Sequence, residues 1–313
     1  MGCTIWSSGV EGNCGKRMSS KENITHHKDG YKIAGGRVGI LLVHSLGGSP
    51  DEMRYLAQAF GREGYTVNCP FIPGLTAGTD ISGISTWEDW YAGLLDTFNE
   101  MHKTCDKVYV GGLSAGAVLA LRLAADHPDR VEGIMLFAPT LWPNGWAIPW
   151  YFNLFKLVRE RFTARLFHFR QRAPYGIKDE RIRKFIFERF ADANRPIEDL
   201  FGRGGGLVHQ FRRLVTEVKT QLGTVKLPAL IMHPRFDDQS DLSNAFKLQR
   251  ELAGPVETVV LEDCYHMITL DRQRHVVVER ATQFVDRLVA ATARPMQGGM
   301  MAKQVVNSAA AAE

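Results

Sequence analysis

Six short, almost wholly apolar runs recur along the chain, at residues 38–43, 65–69, 107–110, 133–137, 229–232 and 257–261. Amphipathic stretches of helical period separate most of them, at 51–63, 87–102, 115–126, 242–252 and 272–292. A strand that faces water on one side alternates apolar with polar residues, whereas a strand with almost no polar positions has to be covered on both sides. The pattern therefore predicts an α/β protein with a mostly parallel central sheet and helices on both faces. Hydrophobic residues at 45% and charged residues at 23% are enough for a core of that size and exclude a largely disordered chain.

One stretch breaks the rhythm. Residues 141–224 hold no convincing strand, their first part is dense in aromatics, and they carry 16 Lys/Arg against 8 Asp/Glu. We expect a helical cap insertion here, dividing the core into 31–140 and 225–293. Residues 1–30 and 294–313 lack apolar periodicity and read as flexible tails. Trp142 and Trp146, at the start of the cap, are candidate substrate-binding residues. Arg159, Arg161, Arg165, Arg170 and Arg172 fall partly at helical spacing and read as a solvated face, with attraction of an anionic substrate or lipid surface as the lesser reading. Gly202-Arg203-Gly204-Gly205-Gly206 resembles a phosphate cradle, but it follows no strand and lacks the Lys-Ser/Thr of a nucleotide loop. A hinge in the cap is expected instead.

Charge and cysteine usage narrow the function classes. A net charge of +4 is too small to argue for nucleic acid. No apolar run reaches the ~18 residues of a membrane-spanning helix, so no integral insertion is expected. Five widely spread cysteines without a C-x-x-C argue against a disulfide framework. No secretory signal is read at the N-terminus, and Trp6 stands where a Met1-Gly2 myristoylation motif needs Ser or Thr. The expectation is a cytoplasmic monomer or homodimer acting on a small molecule.

Gly112-Leu113-Ser114-Ala115-Gly116 matches G-x-S-x-G between an apolar strand and a helix, the setting of a nucleophile elbow. A serine hydroxyl needs a base. Of ten histidines, His266 follows the last predicted strand and so lies on the same sheet edge as Ser114. The imidazole in turn needs a carboxylate. Asp237 is the first choice, with Asp238 and Asp241 as neighbours able to replace it. The order Ser, Asp, His along the chain is that of hydrolases built on an α/β sheet. Acyl transfer also requires backbone donors for an oxyanion. Ala115 supplies one, and Leu46, in the loop His44-Ser45-Leu46-Gly47-Gly48, the other. His44 itself reads as structural.

With these residues in place, 39–285 resembles the α/β-hydrolase superfamily and is similar to small bacterial carboxylesterases and monoacylglycerol lipases. The matching stretches are Leu41-Leu42-Val43-His44 with Leu46 and Gly48, Gly64-Tyr65-Thr66-Val67, Pro73-Gly74-Leu75, Thr86-Trp87-Glu88-Asp89-Trp90, Gly112 to Gly116, Arg235-Phe236-Asp237, and His266-Met267-Ile268-Thr269-Leu270-Asp271. The resemblance implies the α/β-hydrolase fold and a serine esterase or lipase with Ser114, Asp237 and His266 as triad. It also implies the Leu46 and Ala115 amides as oxyanion hole, and no metal or organic cofactor. Two features depart from the family. Ser45 stands where it has glycine, which bears on the loop presenting Leu46, and the cap is longer, more aromatic and more basic. Thioesterase, lactonase and hydroxyacid-oligomer hydrolase activities use the same triad, and a non-catalytic small-ligand receptor is the alternative of another class.

Overall fold

Ile40, Leu41, Leu42 and Val43 of strand β2 (Val38–Val43) are all fully buried. Leu41 and Val43 join one apolar layer and Ile40 and Leu42 the other, the two-residue alternation of a strand covered on both faces. In the computed structural model, which describes residues 30–79, 85–190 and 203–293, β2 is central to a seven-stranded sheet. The other strands are β1 (Gly30–Ile33), β3 (Thr66–Pro70), β4 (Lys107–Leu113), β5 (Gly133–Phe137), β8 (Ala229–Pro234) and β9 (Val256–Leu261), in the order β1-β3-β2-β4-β5-β8-β9. All neighbours are parallel except β1, which runs antiparallel to β3 at the edge.

Helices α1 (Arg54–Arg62) and α8 (Arg274–Ala293) cover one face with Leu56, Phe60, Phe284 and Val285. The other face is covered by α2 (Trp87–Met101), α3 (Ala115–Asp126), α6 (Gly205–Gln221) and α7 (Ser243–Glu251), with Trp90, Phe98, Leu121, Leu214 and Leu248 among the packed side chains. A capping box starts α2: Asp89 N–H donates to Thr86 Oγ1 at 3.3 Å and Thr86 N–H to Asp89 Oδ2 at 2.7 Å, worth about 1 kcal/mol. No helix among the described residues is long and apolar enough to cross a membrane.

The chain leaves β2 for β3 on one side and returns to β4 on the other. The crevice above the carboxyl ends of β2 and β4 is thus a topological switch point, where open α/β sheets bind ligands.

Among the described residues between β5 and β8 the structure is less helical than the sequence suggests. An eight-residue 3-10 stretch (Trp150–Leu157) leads to the four-residue α4 (Arg161–Ala164), followed among the described residues by α5 (Glu180–Phe190) and α6. A two-residue ladder pairs β6 (His168–Phe169) with β7 (Arg203–Gly204). It is too short to leave a pattern in the sequence. The expected hinge at 202–206 lies partly outside the described residues. Within them, Arg203 and Gly204 are β7 and Gly205 opens α6, where a Cβ would come within 2.1 Å of the Ala164 carbonyl oxygen. That glycine serves close packing. β1 is the other strand the sequence concealed, because its start coincides with the end of the polar N-terminal stretch.

Candidate active site

β4 ends at Leu113, and Ser114 follows with φ 57° and ψ −112°, a conformation side chains rarely adopt. The turn closes because its neighbours are glycines. A Cβ on Gly112 would lie 2.2 Å from the Gly116 carbonyl carbon, and one on Gly116 would lie 2.3 Å from the Val43 carbonyl oxygen. β4, α3 and the end of β2 therefore pack backbone against backbone around the serine. Its amide donates to the Phe137 carbonyl at 2.8 Å.

His266, in the loop after β9, is buried, and its Nδ1–H donates to Asp237 Oδ2 at 2.8 Å. Burial alone would push the imidazole down, but the charge and hydrogen bond of Asp237, aided by Asp238 and Glu52, raise it above the ordinary histidine value. Burial would likewise push Asp237 up. His266, His233 and the Ser240 amide outweigh it and keep the carboxyl below the usual range. Of the three expected candidates only Asp237 meets the imidazole. Asp241 accepts from the Ser243 amide at 2.9 Å at the start of α7, and Asp238 contacts backbone amides instead.

Ser114 and His266 line the same cavity, of about 1040 Å³. In this structure the Ser114 hydroxyl lies 3.2 Å from Thr140 Oγ1, which donates to Ser240 Oγ at 3.0 Å, and Ser240 Oγ donates to Asp237 Oδ2 at 3.4 Å. A chain of hydroxyls thus joins the serine to the carboxylate. Nothing in the sequence marks Thr140 or Ser240 as members of this chain of hydroxyls.

The amides of Leu46 and Ala115 donate no hydrogen bond among the described residues and remain available at the head of α3 and in the loop after β2. Ser45 does bear on that loop. Its N–H and hydroxyl donate to the two oxygens of Glu52, at 2.8 and 3.1 Å. Arg203 of β7 lies against Gly47 on the other side, a Cβ there meeting its Nε at 2.9 Å. His44 is buried and holds the loop from below. Nδ1–H donates to the Ser45 carbonyl at 2.8 Å, so Nε2 accepts from the Thr76 hydroxyl at 2.8 Å, while that hydroxyl accepts the Ile72 amide. Burial lowers the His44 pKa, which suits this neutral form.

Phe152, Phe155, Phe167 and Phe169 form much of the cavity wall, with ring centroids 4.7 Å apart for Phe152–Phe169 and 4.9 Å for Phe155–Phe169. Trp142 and Trp146, the expected substrate contacts, do not line it. Trp142 Nε1–H donates to Asn153 at 3.1 Å and its ring packs outside Phe152; Trp146 Nε1–H donates to the Phe236 carbonyl at 3.1 Å and its ring meets Tyr265. These bonds turn both indoles away, and Pro143, Ala147 and Ile148 face the cavity instead. Among the described residues no group of three or more His, Cys, Asp or Glu is placed to hold a metal ion.

Residues 37–273 match the family model described as serine aminopeptidase, S33. The chain belongs to that family of hydrolases. Its elbow, its sheet order and the loop after β2 are those of an α/β-hydrolase. Over 275 residues it is 25% identical to the thermostable monoacylglycerol lipase of Bacillus sp. (strain H-257), covering 85% of this chain and 98% of that protein. It is 20% identical to a carboxylesterase of Bacillus subtilis (strain 168), covering 82% and 96%. The crystal structure of a monoacylglycerol lipase from Paleococcus ferrophilus superposes with a TM-score of 0.65 at 18% identity, covering 83% of this chain and 97% of that one. Family and relatives support a carboxylic ester hydrolase, and the fold expected from the sequence is the one found.

Proposed function

We propose that this hydrolase cleaves carboxylic esters through an acyl-enzyme intermediate. Ser114 attacks the ester carbonyl while His266 takes its proton, Asp237 holds the imidazole in the Nδ1–H tautomer, and the Leu46 and Ala115 amides receive the oxyanion. The protonated His266 then gives its proton to the leaving alcohol, and water repeats the sequence to release the acid. One observation carries this reading: a serine at a positive-φ elbow and a histidine bonded to a buried carboxylate line one cavity.

The cavity also suggests the substrate. Its volume stands at the upper end of the ~300–1,000 Å³ of small-molecule sites. A phenylalanine wall suits an apolar acyl chain, and Gln239 beside His266 suits a small hydroxylated alcohol. Monoacylglycerols combine the two, and two of the relatives are named for that substrate. In this reading residues 141–224 act as the cap that lines the acyl pocket. A reducing compartment fits the free and buried Cys69, Cys105 and Cys264; Cys3 and Cys14 lie outside the described residues.

Ser114→Ala tests the chemistry. Turnover of p-nitrophenyl butyrate should fall about 10⁵-fold or more with an unchanged thermal melt. Near-wild-type turnover would reject the assignment. A p-nitrophenyl series from acetyl to palmitoyl tests the pocket. Each further methylene buried contributes about 0.8 kcal/mol, roughly fourfold in kcat/KM, until the cavity is full. A series flat from acetyl onward would remove the long-chain reading.

A further inference from the structure

Two buried carboxylates fasten one short piece of the segment between β5 and β8 to the loop that carries His266. Asp271 accepts four amides: Lys178 and Tyr265 on Oδ2, both at 2.8 Å, and Asp179 and Arg272 on Oδ1, at 3.0 and 2.9 Å. Asp238 accepts two, the Gly176 amide on Oδ2 at 2.8 Å and the His266 amide on Oδ1 at 3.3 Å. The Gly176 carbonyl completes the loop by accepting the Met267 amide at 2.8 Å. Gly176 is seated closely against the histidine. It has φ +80°, and a Cβ there would lie 2.7 Å from Met267 Cγ, 2.8 Å from Gln239 Nε2 and 3.3 Å from His266 Cβ.

The two carboxylates differ in place. Asp271 is fully buried, whereas Asp238 also lines the cavity beside His266 and Gln239. Asp238 is chain neighbour to Asp237, so one short loop presents the acid to the imidazole and a second carboxylate to the backbone of the same histidine. The segment entering from β5 is tied to this loop as well, with Gly145 N–H donating to the Gln239 carbonyl and Ala147 N–H to that of Asp238, both at 2.9 Å.

We propose that Asp238 is a positioning residue for the hydrolytic reaction proposed above, bridging the amides of Gly176 and His266 so that the imidazole is set for Ser114 only while the 175–179 segment is docked. Access and chemistry are then linked, because a displacement of that segment to admit a substrate displaces the histidine's backbone too. Two features make this more than local packing. Burial, followed by the charge of Asp237, pushes the Asp238 carboxyl up to about 6, against the opposing pull of His266 and the two amides. An ionised Asp238 is therefore held at neutral pH at a cost to the fold, because a carboxyl bound more tightly to its proton when folded favours the folded state as pH falls. Its negative charge also helps to raise His266.

Asp238→Asn tests the proposal on the full chain with p-nitrophenyl butyrate. Asparagine keeps one acceptor and turns an N–H₂ toward the other amide, so one of the two bonds is lost. We expect kcat to fall about tenfold with KM within twofold. The acid limb of kcat/KM should move to lower pH, because His266 loses a neighbouring negative charge. The melting temperature should not fall. Unchanged kcat and acid limb overturn the proposal, as does a loss of activity that follows a lowered melting temperature. Gly176→Ala supplies a second route that leaves Asp238 in place. It should lower kcat by a similar factor at unchanged KM, and a wild-type kcat in a folded Gly176→Ala protein would also overturn the coupling. The underlying ester-hydrolase reading is tested separately by the wild-type protein. A wild type that neither turns over esters nor reacts with a fluorophosphonate rejects that reading, whereas an active wild type with an equally active Asp238→Asn rejects only the positioning role.

Discussion

The sheet and the segment between β5 and β8 use the same kinds of side chain to opposite ends. In the sheet, every residue of β5 and β8 is buried, and the loops at its carboxyl edge carry the serine, the carboxylate and the histidine. In the segment, Phe152 and Phe155 are buried, but Trp150, Leu157, Phe162 and Leu166 are 77–78% exposed. Its first part is held by specific polar ties as much as by apolar packing. The Arg212 guanidinium donates to the carbonyls of Phe155, Lys156 and Val158, and the His209 ring meets the Arg159 carbonyl at 2.9 Å. The comparison teaches a division of labour. A closely packed layer fixes the loops that carry Ser114, Asp237 and His266, and a loosely packed one shapes the space above them.

Asp237→Asn should break the first half of that division most severely. It leaves the imidazole in the wrong tautomer, and kcat should fall about 10⁴-fold without unfolding. A comparable loss in Asp241→Asn would place the acid elsewhere. Leu42→Ala, in the centre of the sheet, should cost about 2–5 kcal/mol in chemical denaturation. A cost under 1 kcal/mol would mean that the core is less closely packed than the comparison holds. The pH profile sharpens the site itself. His266 must be neutral to accept a proton and its pKa is raised by Asp237, so activity should be lost as pH falls through a value above that of an unperturbed histidine. kcat/KM should then drop about tenfold per pH unit. A profile flat to pH 5 would remove His266 as base. The smallest effect belongs to the segment's surface, where Leu157→Ser should change stability by no more than about 0.5 kcal/mol. A larger loss would show that this face is covered in solution.

Legibility in the sequence followed the same line. The six apolar runs and five amphipathic helices were readable because burial on two faces leaves no room for polar residues, and a period is a local property. Ser114 was readable because the elbow needs glycine at 112 and 116 within one short string. The placement of His266, and of the turn holding Asp237, Asp238 and Asp241, was readable from position after a strand. Trp142 and Trp146 misled, since an indole's direction depends on where Asn153 and the Phe236 carbonyl lie, and neither is implied by composition. Glu52 under Ser45, Thr140 against Ser114 and the two amides on Asp238 left no trace for a related reason. Thr140 and the two amides meet partners 26 to 62 positions away along the chain, Glu52 meets Ser45 across seven, and all are of types common on any surface.

The chain order of residues by itself determined the layered α/β architecture, the elbow and the edge on which Ser114, Asp237 and His266 gather, because hydrophobic period and turn chemistry act over a few residues. Only the tertiary structure decided which of Asp237, Asp238 and Asp241 meets the imidazole, which aromatics wall the cavity and how the overlying segment is tied to the histidine. Those outcomes turn on distances of about 3 Å between separate elements, and such distances exist only once the sheet has brought the elements together.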